Sequence, residues 1–424
     1  MITEQQIDLI VEKLLERIEQ ANIQFLMNIG SSIKQIRKLK PSEAQKLVQI
    51  LKYGGKYEEI IQELSKITNL NIKDIDEIFY NYAEKDQNFY KKFYEYRNIP
   101  YVPFNENNAL KMQTMALSNI AKNEMYNFTR TNVLGYTIND IKGRPQFYGL
   151  RETYNRVLDE ALLNVGQGKE TFDSAMSNIM KQLGGSGLKT IIYDSTFIDK
   201  DGVVRNRTRR LDSAVKMHLK GRLRELHNEN EKIIGQEIGA DGIEISVHES
   251  PAVDHAKVQG RQFSNEEFEK LQNGDKAKDY KGRYYSLDHD GKNGYRPISE
   301  MNCYHYIFSI VLGVSEPEYT DEQLKEIMNK NEKGFYLYDK KLGDYKHYTM
   351  YEGTQLQRNL ERKIREQKDI QILAKASDNM DLVGESQWNI TQLTKQYKKL
   401  CEESGLPTKM QRAKVVGYKR MKVK

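Results

Sequence analysis

The 424-residue chain carries 66 Lys and Arg against 60 Asp and Glu, a formal net charge of +6, and 30% of it is charged against 38% hydrophobic. No window approaches the roughly 18 uninterrupted apolar residues of a spanning helix, which excludes a membrane protein. The N-terminus has no signal-peptide pattern, and Cys303 and Cys401 cannot form a disulfide framework. We expect two or three domains, folding in a reducing cytoplasm, and no membrane partner.

The pattern of residues 1–185 is almost entirely that of helices. Apolar residues recur at spacings of three and four between Ile7 and Ile18, and Pro41 begins a second helix that ends at Gly54. The same periodicity continues to residue 97. Pro100 and Pro103 then interrupt it, and further helices are predicted at 106–134 and 150–183.

An aromatic run closes the first half of this region, and its members are Phe89, Tyr90, Phe93, Tyr94 and Tyr96. Aromatic side chains could stack on nucleobases, but at helical spacing they more often belong to a core or an interface. We therefore expect them to pack against protein.

The pattern changes after residue 185. Short β-branched segments at 188–193 and 196–198 predict a hairpin completed by Val203-Val204. A helix is predicted from Leu211 to Ile238, ended by Gly239, and a strand at 242–247. The chain is rich in turns from 248 to 320.

Residues 320–424 become helical again after a small hairpin near 335–349, and 355–367 is predicted to be an exposed, charged helix. The predicted fold class is therefore α+β and predominantly helical. Its three regions are an all-α N-terminal region (1–185), a small turn-rich α/β module (186–320), and a helical C-terminal region with a basic tail (321–424).

Neither a Gly-rich phosphate loop nor the GxSxG or HExxH motif occurs, so the sequence does not support those nucleotide-binding and hydrolase chemistries. His248 and His255 instead follow the predicted strand at 242–247, and Cys303 and His305 lie downstream. Together they supply four ligands, the number that a structural zinc site uses. The alternatives are a metal-free polar core, in which the histidines cap turns, and a catalytic metal. Apart from this zinc, we predict no cofactor.

Basic residues concentrate in two places. Residues 401–424 hold seven Lys or Arg against two Glu, a net +5 of the total +6. In 205–224, like charges lie four residues apart on the predicted helix, where they repel unless a partner such as DNA phosphate neutralises them. The candidate nucleic-acid contacts are Arg205, Arg207, Arg209, Arg210, Lys216, Lys220 and Arg224, with Lys409, Arg412, Lys414, Lys419, Arg420, Lys422 and Lys424 in the tail. The alternatives are a solvated mixed face and a frayed tail without a partner.

Several ordered motifs resemble those of one protein family. They are Arg209–Met217, Gly239–Asp241 and on to His248, His255 with Gln259-Gly260, Asn302–His305, Gly313–Pro317, Tyr351–Arg358 and Glu361–Arg365. An upstream helix with Tyr154, Leu158, Asp159, Ala161, Val165, Gly168 and Phe172 belongs to the same set. In this order they resemble the tailed-bacteriophage minor capsid proteins, namely the second minor capsid family of phages and prophages of Gram-positive bacteria. The resemblance covers residues 110–424, and more loosely the helical N-terminus.

The resemblance implies a structural protein of the phage head without an identified reaction. It implies a place near the portal vertex, binding to the portal protein and other head proteins, and non-specific contact with packaged double-stranded DNA. The protein would lie in the virion, and in the host cytoplasm during assembly. Region 1–185 would dock on the portal or capsid, and the basic tail would contact DNA.

Two alternatives remain open. One is a metal-assisted hydrolase or nuclease at the boundary between head and DNA, with a site formed by His248, Asp254, His255, Cys303 and His305. Asp254 and Asp288 would be its two carboxylates. The other is a DNA-binding protein whose association with the capsid is incidental.

Overall fold

The computed structural model describes residues 4–140, 142–198, 202, 204–287, 296–299, 303, 305–339 and 343–419. In this part the chain forms eleven α-helices and eleven short β-strands, all paired antiparallel. The predominantly helical α+β prediction is confirmed. Within the described residues, no helix is both long enough and apolar enough to cross a membrane.

The N-terminal region begins with four helices: α1 (Glu4–Arg37), α2 (Pro41–Tyr53), α3 (Lys56–Tyr96) and α4 (Asn108–Thr129). Pro41 occupies the first turn of α2, where its missing N–H costs nothing. Asn107 begins α4, because its side chain accepts a hydrogen bond from the backbone N–H of Leu110 at 3.1 Å.

The prediction that 1–185 is almost all helix is wrong between residues 134 and 149. Strands β1 (Leu134–Asn139) and β2 (Pro145–Gly149) form a hairpin there, with Tyr136 opposite Tyr148. Tyr136 is buried and stacks on Phe25 of α1 with 5.4 Å between ring centroids, so tertiary packing decides this segment.

The central part adds α5 (Leu150–Asn164), α6 (Lys169–Ser186), β3 (Lys189–Ile198), β4 (Val204–Arg210) and α7 (Leu211–Ile238). The predicted hairpin is confirmed as β3 and β4, which extend the first sheet in the order β2-β1-β3-β4. Residues 199–201 and 203 of its turn lie outside the described residues. The predicted bounds of α7 are confirmed, and Gly239 ends it with a φ of +67°, which favours glycine.

A small sheet follows α7. Its strands are β5 (Gly242–Ile245), β6 (Gln262–Ser264) and β9 (Ile307–Ile310), in the order β6-β5-β9, and α8 (Asn265–Gln272) and the pair β7 (Ala277–Lys278) and β8 (Tyr284–Tyr285) lie beside it. The predicted strand at 242–247 is thus shorter than expected. This module has its own small core, which includes Ile245, Val258, Phe263, Leu271 and Ile307.

The C-terminal elements are α9 (Asp321–Lys333), β10 (Phe335–Asp339), β11 (Asp344–Tyr348), α10 (Met350–Ala376), α11 (Met380–Ser404) and a 3₁₀ turn at Met410–Ala413. The predicted hairpin is confirmed as β10 and β11. The prediction of an exposed helix at 355–367 is wrong, because Gln357, Glu361 and Ile364 are buried. Gln357 donates to the carbonyl of Pro407 at 2.8 Å, and Glu361 accepts from the Tyr397 hydroxyl at 3.1 Å.

The largest hydrophobic core joins the two ends of the chain. It includes Phe25 of α1, Met180 of α6, Leu223 of α7 and Leu373 of α10. Small residues allow α10 to approach closely: a Cβ at Gly184 would lie 2.4 Å from Ile370 Cγ1, and one at Gly30 2.6 Å from Ala376 Cβ. The first and last regions therefore share one core, while the domain boundaries at 185 and 320 stay a prediction.

Candidate metal centre

His255, Cys303 and His305 are brought together by the pairing of β5 with β9. Ile245 lies opposite Ile307, and the ladder continues as Ser246 N–H donates to the Tyr306 carbonyl at 2.9 Å. Because the strands are antiparallel, the chain that leaves β5 and the chain that enters β9 meet at the same end of the sheet. Two residues far apart in sequence, His255 and Cys303, thereby become neighbours.

The three side chains form a compact, buried group. Cys303 Sγ lies 3.4 Å from His255 Nδ1 and 3.5 Å from His305 Nδ1. The three atoms that could bind a metal lie within 4.8 Å of one another. His255, Cys303 and His305 are 1%, 1% and 3% exposed.

Hydrogen bonds outside the group fix both histidine rings. His255 Nε2 lies 2.8 Å from the carbonyl oxygen of Arg296. His305 Nε2 lies 3.2 Å from Gln259 Oε1, the same oxygen that accepts the His248 N–H at 2.8 Å. Because both of these oxygens accept, each Nε2 carries a proton and each Nδ1 faces the sulfur.

The electrostatics favour a thiolate. Burial alone would raise the pKa of the Cys303 thiol, but the contacts of its sulfur with His255 and His305 stabilise the charged form and lower that pKa to about 5. Burial alone would likewise lower the pKa of His255, but the hydrogen bond to Cys303, the charge of its sulfur and the hydrogen bond to the Arg296 carbonyl together outweigh burial and raise that pKa. A thiolate and two imidazoles are soft and borderline ligands that suit a metal such as Zn²⁺.

The fourth predicted ligand is not in the group. His248 is half-buried, and its Nδ1 accepts a hydrogen bond from the Ser250 N–H at 3.2 Å. Its ring centroid lies 6.2 Å from that of His305. Asp254 is also committed elsewhere, since both of its oxygens lie 3.0 Å from the Arg296 guanidinium. Asp288, named for the hydrolase alternative, lies outside the described residues.

Sequence reasoning about ligands missed Gln259 and Arg296, which orient the two rings. The only signal was the Gln259-Gly260 pair among the family motifs. Gly260 has a φ of +66°, and a Cβ there would lie 2.5 Å from Leu324 and 3.0 Å from Val247. Glycine is thus required for the turn that places the Gln259 side chain within hydrogen-bond distance of His305.

The structure corrects part of the predicted DNA-binding cluster. Arg205, Arg207 and Arg209 are exposed on β4, and Lys216 is half-buried. The placing of Arg210, Lys220 and Arg224 on a DNA-facing stripe is wrong, because all three point into the protein. Lys220 and Arg224 are 8% and 4% exposed, and Arg210 is paired with Asp212 and Asp369.

The basic tail packs against the helical body as far as residue 419. Ala413 and Val415 are buried, and the Val416 N–H donates to Glu19 of α1 at 2.9 Å. The alternative of a frayed tail is therefore wrong for this stretch. Lys414 and Lys419 are exposed, Lys409 and Arg412 are half-buried, and Arg420, Lys422 and Lys424 lie outside the described residues.

Comparison with known proteins gives one finding. The model of a family described as Phage minor capsid protein 2 matches residues 2–402. No curated protein and no solved structure matches the chain. The family match confirms the resemblance carried by the ordered motifs, and it extends that resemblance through the helical N-terminal region. The chain belongs to the phage minor capsid protein 2 family.

Proposed function

We propose that this minor capsid protein sits at the portal vertex of a tailed-phage head, binds the portal protein, and holds packaged double-stranded DNA through arginine–phosphate contacts. It would act by adhesion, in the virion and earlier in the host cytoplasm during assembly. Two observations support the proposal: a row of three exposed arginines on the edge strand β4, and a separate face of exposed aromatic rings near the end of α3.

The arginine row lies on β4. This strand is the last in its sheet, so one of its edges is not covered by a further strand. Side chains two residues apart point to the same face of a strand, so Arg205, Arg207 and Arg209 share one face, and all three are exposed. A guanidinium matches the geometry of a phosphate and stays charged at all relevant pH values. A charged edge also prevents aggregation, but that purpose is usually served by lysine as well, and here the row is arginine only.

The aromatic surface lies near the end of α3. Phe89, Phe93 and Tyr96 are 42%, 46% and 78% exposed, at the four- and three-residue spacing of a single helical face. Tyr90 and Tyr94, one residue further along the helix, are buried. Of the aromatic residues predicted to pack against protein, two therefore lie in the core of this chain and three face outward. Exposed aromatic side chains in a cluster are typical of protein interfaces, and we assign this face to the portal or a neighbouring head protein.

A structural role also fits the group of His255, Cys303 and His305, here called the His–Cys group, better than catalysis does. A Cys–His pair can act as a nucleophile and base, but catalysis requires that substrate reach the sulfur. Among the described residues, the three members of the group are at most 3% exposed. We therefore assign no turnover to this protein.

The DNA contact is tested by replacing Arg205, Arg207 and Arg209 together with glutamine. We expect weaker binding to a short duplex, and a plot of log affinity against log salt that is shallower by about 0.9 for each phosphate that the protein no longer neutralises. The matched control replaces Lys325, Lys330 and Lys333 with glutamine, which removes the same charge from the exposed face of α9. Equal salt slopes in the two triple variants would refute the proposed contact between the arginine row and DNA phosphate.

The portal contact is tested by co-purification with the cognate portal protein and by mass spectrometry of proheads and virions. We expect Phe93→Ser with Tyr96→Ser to weaken portal binding by roughly tenfold or more, because exposed aromatics often carry the binding energy of an interface. Leu163→Ser is the control, since Leu163 is 69% exposed on another helix. Absence of the wild-type protein from both kinds of particle would contradict the proposal.

A further inference from the structure

We propose that His255, Cys303 and His305 bind one Zn²⁺ ion through His255 Nδ1, Cys303 Sγ and His305 Nδ1. The ion would join the segment between β5 and β6 to the segment that precedes β9. The inference goes beyond the portal and DNA contacts and does not depend on them.

The first argument is the count of protons in the group. Two Nδ1 atoms face one sulfur at 3.4 and 3.5 Å, and the outer hydrogen bonds keep the proton of each neutral ring on Nε2. In the neutral group the sulfur and the two Nδ1 atoms share a single proton, and wherever it lies it can satisfy only one of the two contacts. The other nitrogen would then direct its lone pair at sulfur in a buried site. A cation bound by all three atoms removes this conflict.

The second argument is the environment of the histidines. A metal-binding histidine almost always donates its other N–H to a carbonyl, a carboxylate or water, which fixes its orientation. Both rings have this arrangement, with Arg296 O as acceptor for His255 and Gln259 Oε1 as acceptor for His305. The backbone N–H of His305 also donates to Cys303 Sγ at 3.4 Å, which stabilises negative charge on the sulfur.

The donor set selects the metal. One thiolate and two imidazoles favour zinc, whereas magnesium and calcium prefer oxygen ligands. The carboxylate that precedes His255 in the chain, Asp254, is engaged by Arg296. His248 does not supply a fourth ligand in this arrangement, because its Nδ1 accepts from Ser250 N–H and its proton therefore lies on Nε2. The described residues thus provide three of the four ligands of a tetrahedral zinc site.

The site's position indicates its role. His255 belongs to the turns between β5 and β6, while Cys303 and His305 precede β9. These segments surround a small core built on strands of three and four residues, the kind of structure that gains most from a metal clip. Because the three ligands are at most 3% exposed, we assign the ion to stabilising the module rather than to meeting a substrate.

The test measures metal in the full-length protein purified without chelator. We expect about one zinc per chain by mass spectrometry of the metal. After removal of zinc, added Co²⁺ should give a thiolate charge-transfer band, and X-ray absorption of the zinc form should show sulfur at about 2.3 Å and nitrogen at about 2.0–2.1 Å. These two measurements use the wild-type protein, so they decide the question even if a ligand variant fails to fold.

Variants identify the ligands. Cys303→Ser and His305→Gln should each lower zinc affinity at least about tenfold, and Cys303→Ser should abolish the charge-transfer band. Cys401→Ser is the matched control, since Cys401 is the other buried free cysteine, and His248→Gln is a second control. Both controls should keep the metal. A wild-type protein that neither contains zinc nor binds Co²⁺ through sulfur would overturn the proposal, and so would full zinc content in Cys303→Ser.

Discussion

Replacing Arg210 with methionine is expected to lower the free energy of unfolding by about 3–5 kcal/mol, because it leaves a buried carboxylate without its partner. Arg210 Nη2 lies 3.4 Å from Asp369 Oδ2, and Arg210 Nε lies 3.4 Å from Asp212 Oδ1. The Asp369 side chain is 1% exposed. Burial raises the pKa of Asp369 to about 6 even with Arg210 in place, so removing the guanidinium makes its charged form still less favourable.

The matched control for this prediction is Arg209→Met. Arg209 is the preceding residue and is exposed, and its replacement removes the same charge. We expect it to change stability by no more than about 0.5 kcal/mol. Chemical denaturation of both variants measures the difference, and DNA titration should show the reverse order, with the larger decrease in affinity at Arg209. Equal stability of the two variants would contradict the buried ion pair.

The example of Arg210 shows what local sequence can and cannot predict. Once β4 is known to extend to Arg210, alternation along it puts Arg205, Arg207 and Arg209 on one face, but the sequence predicted this strand only at Val203-Val204. Nothing near Arg210 indicates its partner Asp369, which lies 159 residues further along the chain. Asn22 completes this network by donating to Asp369 at 3.3 Å, which joins α1 to α10. Such contacts follow from tertiary packing and have no periodic signal.

Helix α7 shows a related limit. Its bounds were predictable, because Gly239 gives a clear end signal and the hairpin before it a clear start. The direction of its cations was not, because α7 packs against α1, α3 and α4 and is enclosed on more than one side. Lys220 and Arg224 fall on an enclosed side, and the Arg224 guanidinium lies 5.7 Å from the centre of the Tyr306 ring. A stripe of charged residues along a helix therefore predicts a solvent-exposed face only when the helix packs against the protein on a single side.

The His–Cys group was partly predictable for a different reason. Residue types and the Cys-x-His spacing indicate metal chemistry without any structure. That His255 joins them, and His248 does not, depends on the β5–β9 register and on the turn at Gly260. Sequence spacing carries no information on either.

A second buried charge network lies between α3, α7 and β9. His227 Nδ1 lies 3.0 Å from both carboxylate oxygens of Asp86, and its Nε2 lies 3.0 Å from the carbonyl oxygen of Ile307. Both nitrogens face acceptors, which is the arrangement of a charged imidazolium. Burial alone would lower the pKa of His227, but the charge and hydrogen bond of Asp86, together with Glu231 and the Ile307 carbonyl, outweigh burial and raise that pKa to about 9.

Glu231 belongs to the same network, but burial favours its neutral form, whereas the charged form of His227 is favoured. Its Oε2 accepts the Ser309 N–H at 2.8 Å, and its side chain is fully buried. Burial raises the pKa of Glu231 to about 7, despite the opposing effect of His227. Between about pH 4.5 and 7, the folded protein therefore holds a proton on Glu231 that the unfolded chain has released. Since the folded state binds more protons there, Glu231 makes folding less favourable as pH rises through this window.

Glu231→Gln is accordingly expected to be more stable relative to wild type at pH 8 than at pH 5, and the difference should grow by about 1.4 kcal/mol or more, the value of one pKa unit. Glutamine keeps the acceptor for Ser309 N–H and never ionises, and comparing two proteins at each pH cancels the titration of groups they share. Denaturation at pH 5, 6, 7 and 8 measures this trend. Glu229→Gln on the same helix serves as the control, because its side chain is 36% exposed and pairs with Lys232 at the surface, so its stability should follow wild type across the series. If Glu231→Gln instead tracks wild type in parallel, then Glu231 is ionised in the fold throughout this range, and His227 must neutralise it together with Asp86.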